Sequence, residues 1–221
     1  KIMSVWEQYK LGDIVSLQQG FALNKKSNHY LSDKENGIPL LKISDLFKQT
    51  ETLFVNKNIP KQFIINKNDI IYTRTAQVGY AFINKTGIIY NNCFKILVNE
   101  KLDKKFLFYF LNLESIRDYA TTLASGTAQQ DLNHDAFKSI RINLPPLSEQ
   151  KKISKILSYY FDLIENNLKR IKLLEKSTRN SFDELFLRFK IQGKKLNLNP
   201  KNNLPFGWKD VLLTDYIELE K

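Results

Sequence analysis

Three short polar segments of this chain concentrate side chains that can hydrogen-bond to the edges of nucleic acid bases. An amide group pairs well with adenine and a guanidinium group with guanine, whereas ammonium groups neutralise backbone phosphates. The candidates are Lys25, Lys26, Asn28 and His29 in the first segment, Thr73, Arg74, Thr75 and Gln77 in the second, and Ser125, Thr127, Gln129 and Gln130 in the third. Gly126 would let the backbone of the third segment approach a ligand closely. These residue types indicate a surface that reads double-stranded DNA.

Each segment also has a purely structural interpretation. Lys25 and Lys26 are ordinary residues for a solvated surface, and Arg74 is equally suited to an ion pair with an internal carboxylate. The residues around Gly126 are common turn formers, so the third segment is also typical of a structural turn. The sequence leaves both interpretations open for all three segments.

The charge balance favours an anionic partner. Lys and Arg number 34 against 23 acidic residues, a formal net charge of +11. Both main parts of the chain carry an excess of positive charge. Residues 1–147 have 19 basic and 13 acidic side chains, and residues 148–200 have 12 basic and 6 acidic ones. Such a surplus most often serves nucleic acid binding. The alternative is a generally lysine-rich protein with no polyanionic ligand.

Motifs for catalysis are missing from the sequence. It contains neither a glycine-rich dinucleotide fingerprint nor a phosphate-binding loop, and His29 and His134 lack the neighbours of a metal site. Glu149 and Lys151 fit a loose nuclease pattern, but the start of a solvated helix explains them better. We therefore expect a non-catalytic protein without cofactor or metal.

The single cysteine, Cys93, lies in a strand-like run and is expected to be a buried structural thiol. No run of about 18 apolar residues is present, and the start of the sequence lacks the apolar core of a signal peptide. These features predict a cytoplasmic protein that does not enter a membrane.

The elements that must position the polar segments are short strands and one helical stretch within residues 1–147. Runs rich in Ile, Val, Tyr, Phe and Thr predict strands at residues 38–43, 69–75, 80–83, 88–98 and 140–144. Apolar residues at three- and four-residue steps predict a helix over residues 104–123. Strands and helices without a strict βαβ alternation indicate an α+β domain.

A long helix is predicted over residues 148–190. Pro145 and Pro146 block a helix upstream, Ser148 is suited to cap its free N–H groups, and neither Pro nor Gly follows until after Phe189. A heptad seam runs along it, formed by Ile153, Leu157, Tyr160, Ile164, Asn167, Ile171, Leu174 and Leu185. The helix would span roughly 60 Å. Its apolar stripe indicates a coiled coil with a second helix, and the alternative is that it packs across its own domain.

Residues 191–221 are predicted to form a polar linker and the start of a second repeat. Trp208 matches Trp6, Leu213 matches Leu11 and Asp215 matches Asp13 at the same offsets. Such self-similarity indicates one unit of a repeated architecture.

Several motifs together resemble the target-recognition domain in specificity subunits of type I restriction–modification systems. They are the opening run at residues 10–14, residues 37–46, the Asp69-Ile-Ile-Tyr-Thr-Arg run, and Pro145-Pro-Leu-Ser-Glu-Gln before a long helix. Two positions depart from the pattern, because Asn68 and Ala76 stand where the family usually has glycine. The resemblance covers essentially the whole chain.

The resemblance implies a non-catalytic subunit that recognises DNA and recruits modification (methyltransferase) subunits and then restriction subunits. In that family two recognition domains each read one half of a split site, and two antiparallel helices set the half-site spacing. This chain carries one domain and one helix, which implies a half-length form. A homodimer through the helix would then prefer an interrupted palindrome. The alternative is that the chain is a piece of a longer protein.

Two other functions remain open at this stage. A coiled-coil adaptor would bind protein through its domain and would show no specific DNA binding. An autonomous methyltransferase is disfavoured because the cofactor-binding motifs are missing.

Overall fold

The computed structural model describes residues 6–126 and 130–212 of the chain. These residues fall into two compact units, divided between Tyr159 and Tyr160. Within the described part, no helix combines the length and the apolar character needed to cross a membrane.

Among the described residues of the first unit, eleven short strands and five short helices precede the long helix. The strands are β1 (Glu7–Lys10), β2 (Val15–Gln19), β3 (Leu31–Ser32), β4 (Ile38–Leu41), β5 (Phe54–Val55), β6 (Ile64–Ile65), β7 (Ile70–Thr73), β8 (Ala81–Phe82), β9 (Gly87–Ile89), β10 (Cys93–Val98) and β11 (Arg141–Leu144). The helices are α1 (Leu11–Ile14), α2 (Ile43–Lys48), α3 (Lys104–Leu111), α4 (Glu114–Leu123) and α5 (His134–Ser139). Single 3₁₀ turns occur at Asn28–Tyr30 and Lys61–Phe63.

A four-stranded antiparallel sheet in the order β2-β10-β7-β8 forms the centre of this unit. β7 is buried at all four positions, which fits its continuous run of large apolar residues. Tyr72 of this strand packs edge-on against Phe137 of α5, with 4.8 Å between the ring centroids. The central sheet therefore carries the loop that follows Thr73 on a rigid base.

A second sheet has the order β3-β5-β4-β9-β6, and its β4–β9 pair is parallel. Its core combines Phe21 and Ile59 from neighbouring loops with Leu40, Val55 and Ile88 from the strands. Because Phe21 is part of this core, the second sheet anchors the polar segment that follows Phe21 in the sequence.

β1 and β11 form a separate antiparallel ladder, in which Glu7 lies opposite Leu144 and Lys10 opposite Arg141. The ladder joins the first described strand to the strand that leads into the long helix. The entry and exit of the domain are therefore adjacent.

Two predicted elements are each divided in the structure. The run at residues 88–98 forms β9 and β10, which belong to different sheets. The stretch at 104–123 forms α3 and α4, because Asn112 ends the first helix and its side chain bonds to the backbone N and O of Ala81. The prediction for Cys93 is confirmed: the thiol is buried, and burial raises its pKa to about 12.

The long helix α6 spans Leu147–Phe182 and is followed by a single π-helical turn at Asp183–Leu187. The backbone N–H groups of Glu149 and Gln150 donate to the carbonyl of Pro146, so Ser148 lies inside the first turn. The prediction that Ser148 caps the helix is therefore wrong. The α+β domain followed by one long helix is confirmed.

The predicted seam differs between the two ends of α6. In the second unit Tyr160, Ile164, Ile171 and Leu174 are each half or more exposed. In the first unit the buried helix face is instead polar and consists of Gln150, Ser154 and Ser158, while Ile153 is half-buried and Leu157 exposed. The sequence pattern did not indicate this polar face.

The described part of the second unit contains a small aromatic cluster. Trp208 lies 5.5 Å from Phe186 and 5.9 Å from Phe189, measured between ring centroids. A two-stranded ribbon of β12 (Lys190–Ile191) and β13 (Lys194–Lys195) follows the helix, so the helical stretch is shorter than predicted. Leu213 and Asp215 of the predicted repeat lie outside the described residues.

Candidate nucleic-acid interface

The second and third polar segments, far apart in sequence, lie side by side. The carbonyl of Arg74 accepts a hydrogen bond from Leu132 N at 2.9 Å, and Ala76 N donates to Gln130 O at 3.3 Å. Ser125 and Asp131 exchange two backbone hydrogen bonds of 3.0 and 2.8 Å. The loop after β7 and the turn after α4 therefore form one continuous structure.

An ion pair joins these two segments. Nη2 of Arg74 lies 2.6 Å from both carboxylate oxygens of Asp131, and Nε lies 2.9 Å from Oδ1. The Arg74 side chain is 14% exposed and its guanidinium sits 5.3 Å from the ring centroid of Phe94, whereas Asp131 is 43% exposed. This geometry favours the internal pairing of Arg74 over direct contact with a base.

Thr73 and its neighbours shape the second segment. The Thr73 hydroxyl donates to the carbonyl of Gln77 and accepts from Tyr80 N at 3.0 Å. Its side chain is fully buried, so it closes the loop from inside and has no surface for direct contact with DNA, which corrects its predicted role. Thr75 is half-buried and Gln77 is exposed, so both remain candidates for contact with DNA.

Ala76 adopts a φ of 59°, the left-handed backbone region that glycine favours. Glycine would adopt this conformation without strain. Alanine tolerates the conformation at a cost in strain.

The third segment is described only at its two ends. Ser125 is exposed, Gln130 is half-buried, and Gly126 has a φ of 107° that suits glycine. Thr127 and Gln129 lie outside the described residues.

The first segment is an exposed loop held by its own hydrogen bonds. The Asn24 side chain accepts from Lys26 N at 2.9 Å, and the Ser27 hydroxyl donates to the carbonyl of Ala22 at 2.9 Å. Lys25, Lys26, Asn28 and His29 are all exposed. His29 is partly engaged, because its Nδ1 lies 2.9 Å from the carbonyl of Lys26.

A turn at Asn91 and Asn92 connects the first segment to the second. Asn91 N donates to the carbonyl of Phe21 at 3.0 Å, and Arg74 N donates to the carbonyl of Asn92 at 3.0 Å. Gly20 permits this close approach, since a Cβ there would lie 2.2 Å from the carbonyl oxygen of Tyr90. The two asparagines were missed at the sequence level, although an Asn-Asn pair inside an apolar run is a signal for a turn.

A titratable side chain lies beside the ion pair. Partial burial, and then the charges of Arg74 and Lys138, hold the pKa of His134 below its ordinary value. The His134 ring packs edge-on against Phe94 at 4.7 Å. Within residues 6–126 and 130–212, no three His, Cys, Asp or Glu side chains are grouped so that they could share a metal ion.

Several curated proteins with similar sequences are named as specificity subunits. The chain is 29% identical over 218 residues to the type I restriction enzyme MjaVIII specificity subunit of Methanocaldococcus jannaschii, covering 97% of this chain and 50% of that protein. It is 21% identical to the EcoBI specificity subunit of Escherichia coli, covering 98% of this chain and 47% of that protein. The chain thus spans about half the length of these relatives.

Solved structures share the fold. The type I restriction–modification S subunit from M. genitalium matches with a TM-score of 0.64 at 20% identity, covering 85% of this chain and 47% of that one. The HsdS subunit from Thermoanaerobacter tengcongensis matches with a TM-score of 0.53 at 20% identity, covering 79% and 40%. A family model described as the type I restriction modification DNA specificity domain matches residues 3–176. The chain therefore belongs to the family of type I restriction modification DNA specificity domains.

Proposed function

We propose that the first unit reads one half of a split DNA site and carries out no chemistry of its own. The observation that carries this proposal is the joining of two polar loops by the Arg74–Asp131 pair. Through this pair the exposed Gln77 is held on the same structure as Ser125 and Gln130. A fixed set of amide and hydroxyl groups is what base readout in a groove requires.

The first segment supplies the phosphate contacts in this proposal. Lys25 and Lys26 are exposed on a loop whose backbone is fixed by Asn24 and Ser27. Phosphate contacts orient the domain on the duplex and make its affinity depend on salt. The net charge of +11 supports the same partner.

The exposed seam on α6 supports dimerisation. Tyr160, Ile164, Ile171 and Leu174 present a stripe that would stay in water in a monomer. A second copy of the helix would cover this stripe and bring a second recognition unit to the same DNA. The half-site spacing would then depend on the helix pair, and the site would be an interrupted palindrome.

Recruitment of catalytic partners is the remaining part of the proposal. The similar proteins are named as subunits of type I restriction enzymes, and one similar structure is described in terms of complex assembly of the type I system. By analogy this chain brings modification and restriction subunits to the site that it has read.

Selection of binding sites from random duplex DNA tests this function. The chain, assembled with its modification subunits, should enrich two copies of one short motif at a fixed separation. A protein adaptor would instead enrich nothing while still binding its partner. Absence of any enriched motif from the assembled complex would rule out the proposed function.

A further inference from the structure

The first three turns of α6 contact the recognition domain through polar side chains. Gln150, Ser154 and Ser158 follow one another at four-residue steps, and all three are buried. They face α3 and the residues just before it. A helix that packs on its own domain usually does so with an apolar face, so the polar face needs its own explanation.

Gln150 satisfies every polar atom of its side chain at this contact. Its Oε1 accepts from Asp103 N at 2.8 Å, and its Nε2 donates to the carbonyls of Lys101 and Pro145 at 2.9 and 2.8 Å. An amide is the side chain that can accept one such bond and donate two. If the helix moved by one turn, Ser154 would replace Gln150 and leave the backbone N–H of Asp103 and the carbonyl of Lys101 without these partners.

The two serines extend the contact along the helix. Ser154 donates to Asp103 Oδ1 at 2.6 Å, and the same oxygen accepts from Phe106 N at the start of α3. The Ser158 hydroxyl accepts from Tyr109 at 3.1 Å and lies 3.3 Å from Nζ of Lys105. Apolar contacts tolerate sliding and rotation, whereas buried hydrogen bonds are lost unless the register is kept.

We infer that Gln150, Ser154 and Ser158 form a hydrogen-bonded joint that fixes the register of α6 on the recognition domain and so determines which half-site spacing is accepted. This inference rests on the proposed function. One added base pair turns the half-sites by about 35° relative to each other, since one DNA turn takes about 10–10.5 base pairs. A domain fixed rigidly to its helix cannot follow that rotation, but one that is free to rotate can.

The double variant Ser154→Ala/Ser158→Ala tests the joint. Alanine is the best helix former and leaves the helix intact. Asp103 keeps its bond from Phe106 N. The matched control is Ser177→Ala/Ser181→Ala, which makes the same change at the same spacing where α6 is exposed. If the double variant fails to fold, as judged by circular dichroism, Ser158→Ala alone replaces it.

Binding is measured with the assembled complex on duplexes that carry the selected half-sites at different separations. The unaltered protein should discriminate roughly tenfold against a separation changed by one base pair, about the cost of one mismatched base pair. We expect the double variant to lose most of this discrimination while it still selects the same half-site bases. Its backbone amides in residues 150–158 should exchange hydrogen faster than those of the unaltered protein. The control should behave like the unaltered protein.

Each other outcome has a defined meaning. Unchanged discrimination in the double variant, altered half-site bases, or equal loss in the control would overturn the joint as the determinant of spacing. If the unaltered complex selects no motif at all, the proposed function itself fails, which is a different result from failure of the joint.

Discussion

Arg74 and Asp131, 57 positions apart in the chain, form an ion pair in which the guanidinium donates through both Nε and Nη2. The pair connects the loop after β7 to the turn after α4. The Arg74 side chain is largely buried. Its guanidinium pairs with Asp131 and packs over the ring of Phe94. A residue that was a candidate for base contact at the sequence level thus helps to hold the two loops together.

Removing either partner of this pair should have the same effect. We expect Arg74→Ala and Asp131→Asn each to weaken binding to the selected site by about tenfold, equivalent to about 1.4 kcal/mol, because either change loosens the two loops, which are then joined, among the described residues, by backbone bonds alone. Titration of the duplex with each protein, followed by fluorescence anisotropy, measures this change in affinity. Arg188→Ala, which removes an exposed ion pair with Glu184 in the second unit, is the control. If Asp131→Asn binds normally while Arg74→Ala relaxes the preference at one base, Arg74 contacts that base directly.

Lys25→Ala should weaken binding to all sequences alike. A phosphate contact contributes affinity without base preference, and its loss should reduce the slope of log affinity against log salt by about 1. Binding to specific and random duplexes at several salt concentrations measures this. Lys34→Ala, at another exposed lysine, is the control. A weakening confined to the specific duplex would contradict the assigned role.

Gln77→Ala should change sequence preference at one position of the half-site. An exposed amide that pairs with a base typically contributes about 1–3 kcal/mol of discrimination. Repeating the site selection with the variant identifies the position. Gln62→Ala, at an exposed glutamine of the second 3₁₀ turn, should leave the motif unchanged. A uniform loss of affinity with an unchanged motif would exclude base readout by Gln77.

Ile171→Asp should prevent dimerisation through α6. A charge at a seam position would have to be buried against the partner helix, and we expect the dimer to weaken by at least about a hundredfold. Sedimentation velocity at several concentrations measures this. Lys169→Asp changes charge on the same helix away from the seam and serves as the control. A monomeric unaltered chain at high concentration would refute dimerisation without partners.

Acidification should destabilise the first unit through His134. Its pKa in the folded chain lies below the ordinary value of 6.5, so the unfolded chain binds the proton more readily. This contribution to stability is present above pH 6.5 and is lost as the pH falls from there toward the lowered value. Urea unfolding between pH 5 and 8 should show a smaller acid loss for His134→Gln, and His29→Gln is the matched control. If His134→Gln lost as much stability on acidification as the unaltered chain, His134 would make no contribution to the acid sensitivity.

Parts of the fold were predictable because local patterns specify them. The strand predicted at residues 69–75 and the long helix are both marked by composition and period, and both are present, the strand as Ile70–Thr73. The division of residues 88–98 was not predicted, because the turn signal of Asn91 and Asn92 was missed within a run that is otherwise rich in strand-forming residues. The break depends on tertiary bonds from Asn91 and Asn92 to Phe21 and Arg74, which no local pattern records.

The arrangement of the candidate site was also beyond what local sequence patterns could predict. The residue types of the second and third segments indicated polar contacts, but their joining depends on a pairing between distant residues. The sequence likewise did not show that the Thr73 hydroxyl is buried and donates to the carbonyl of Gln77. The polar face of Gln150, Ser154 and Ser158 was hidden because a seam of apolar residues runs along the same helix.

The β1–β11 ladder has a consequence for how this chain can change over generations. The polypeptide enters the domain at Glu7–Lys10 and leaves it at Arg141–Leu144, on two hydrogen-bonded neighbours. Everything between them can therefore be exchanged by recombination as a single cassette, with the connection to the helix left as it was. If the first unit reads DNA as proposed, such an exchange would replace the DNA target in one genetic event and leave the long helix unchanged.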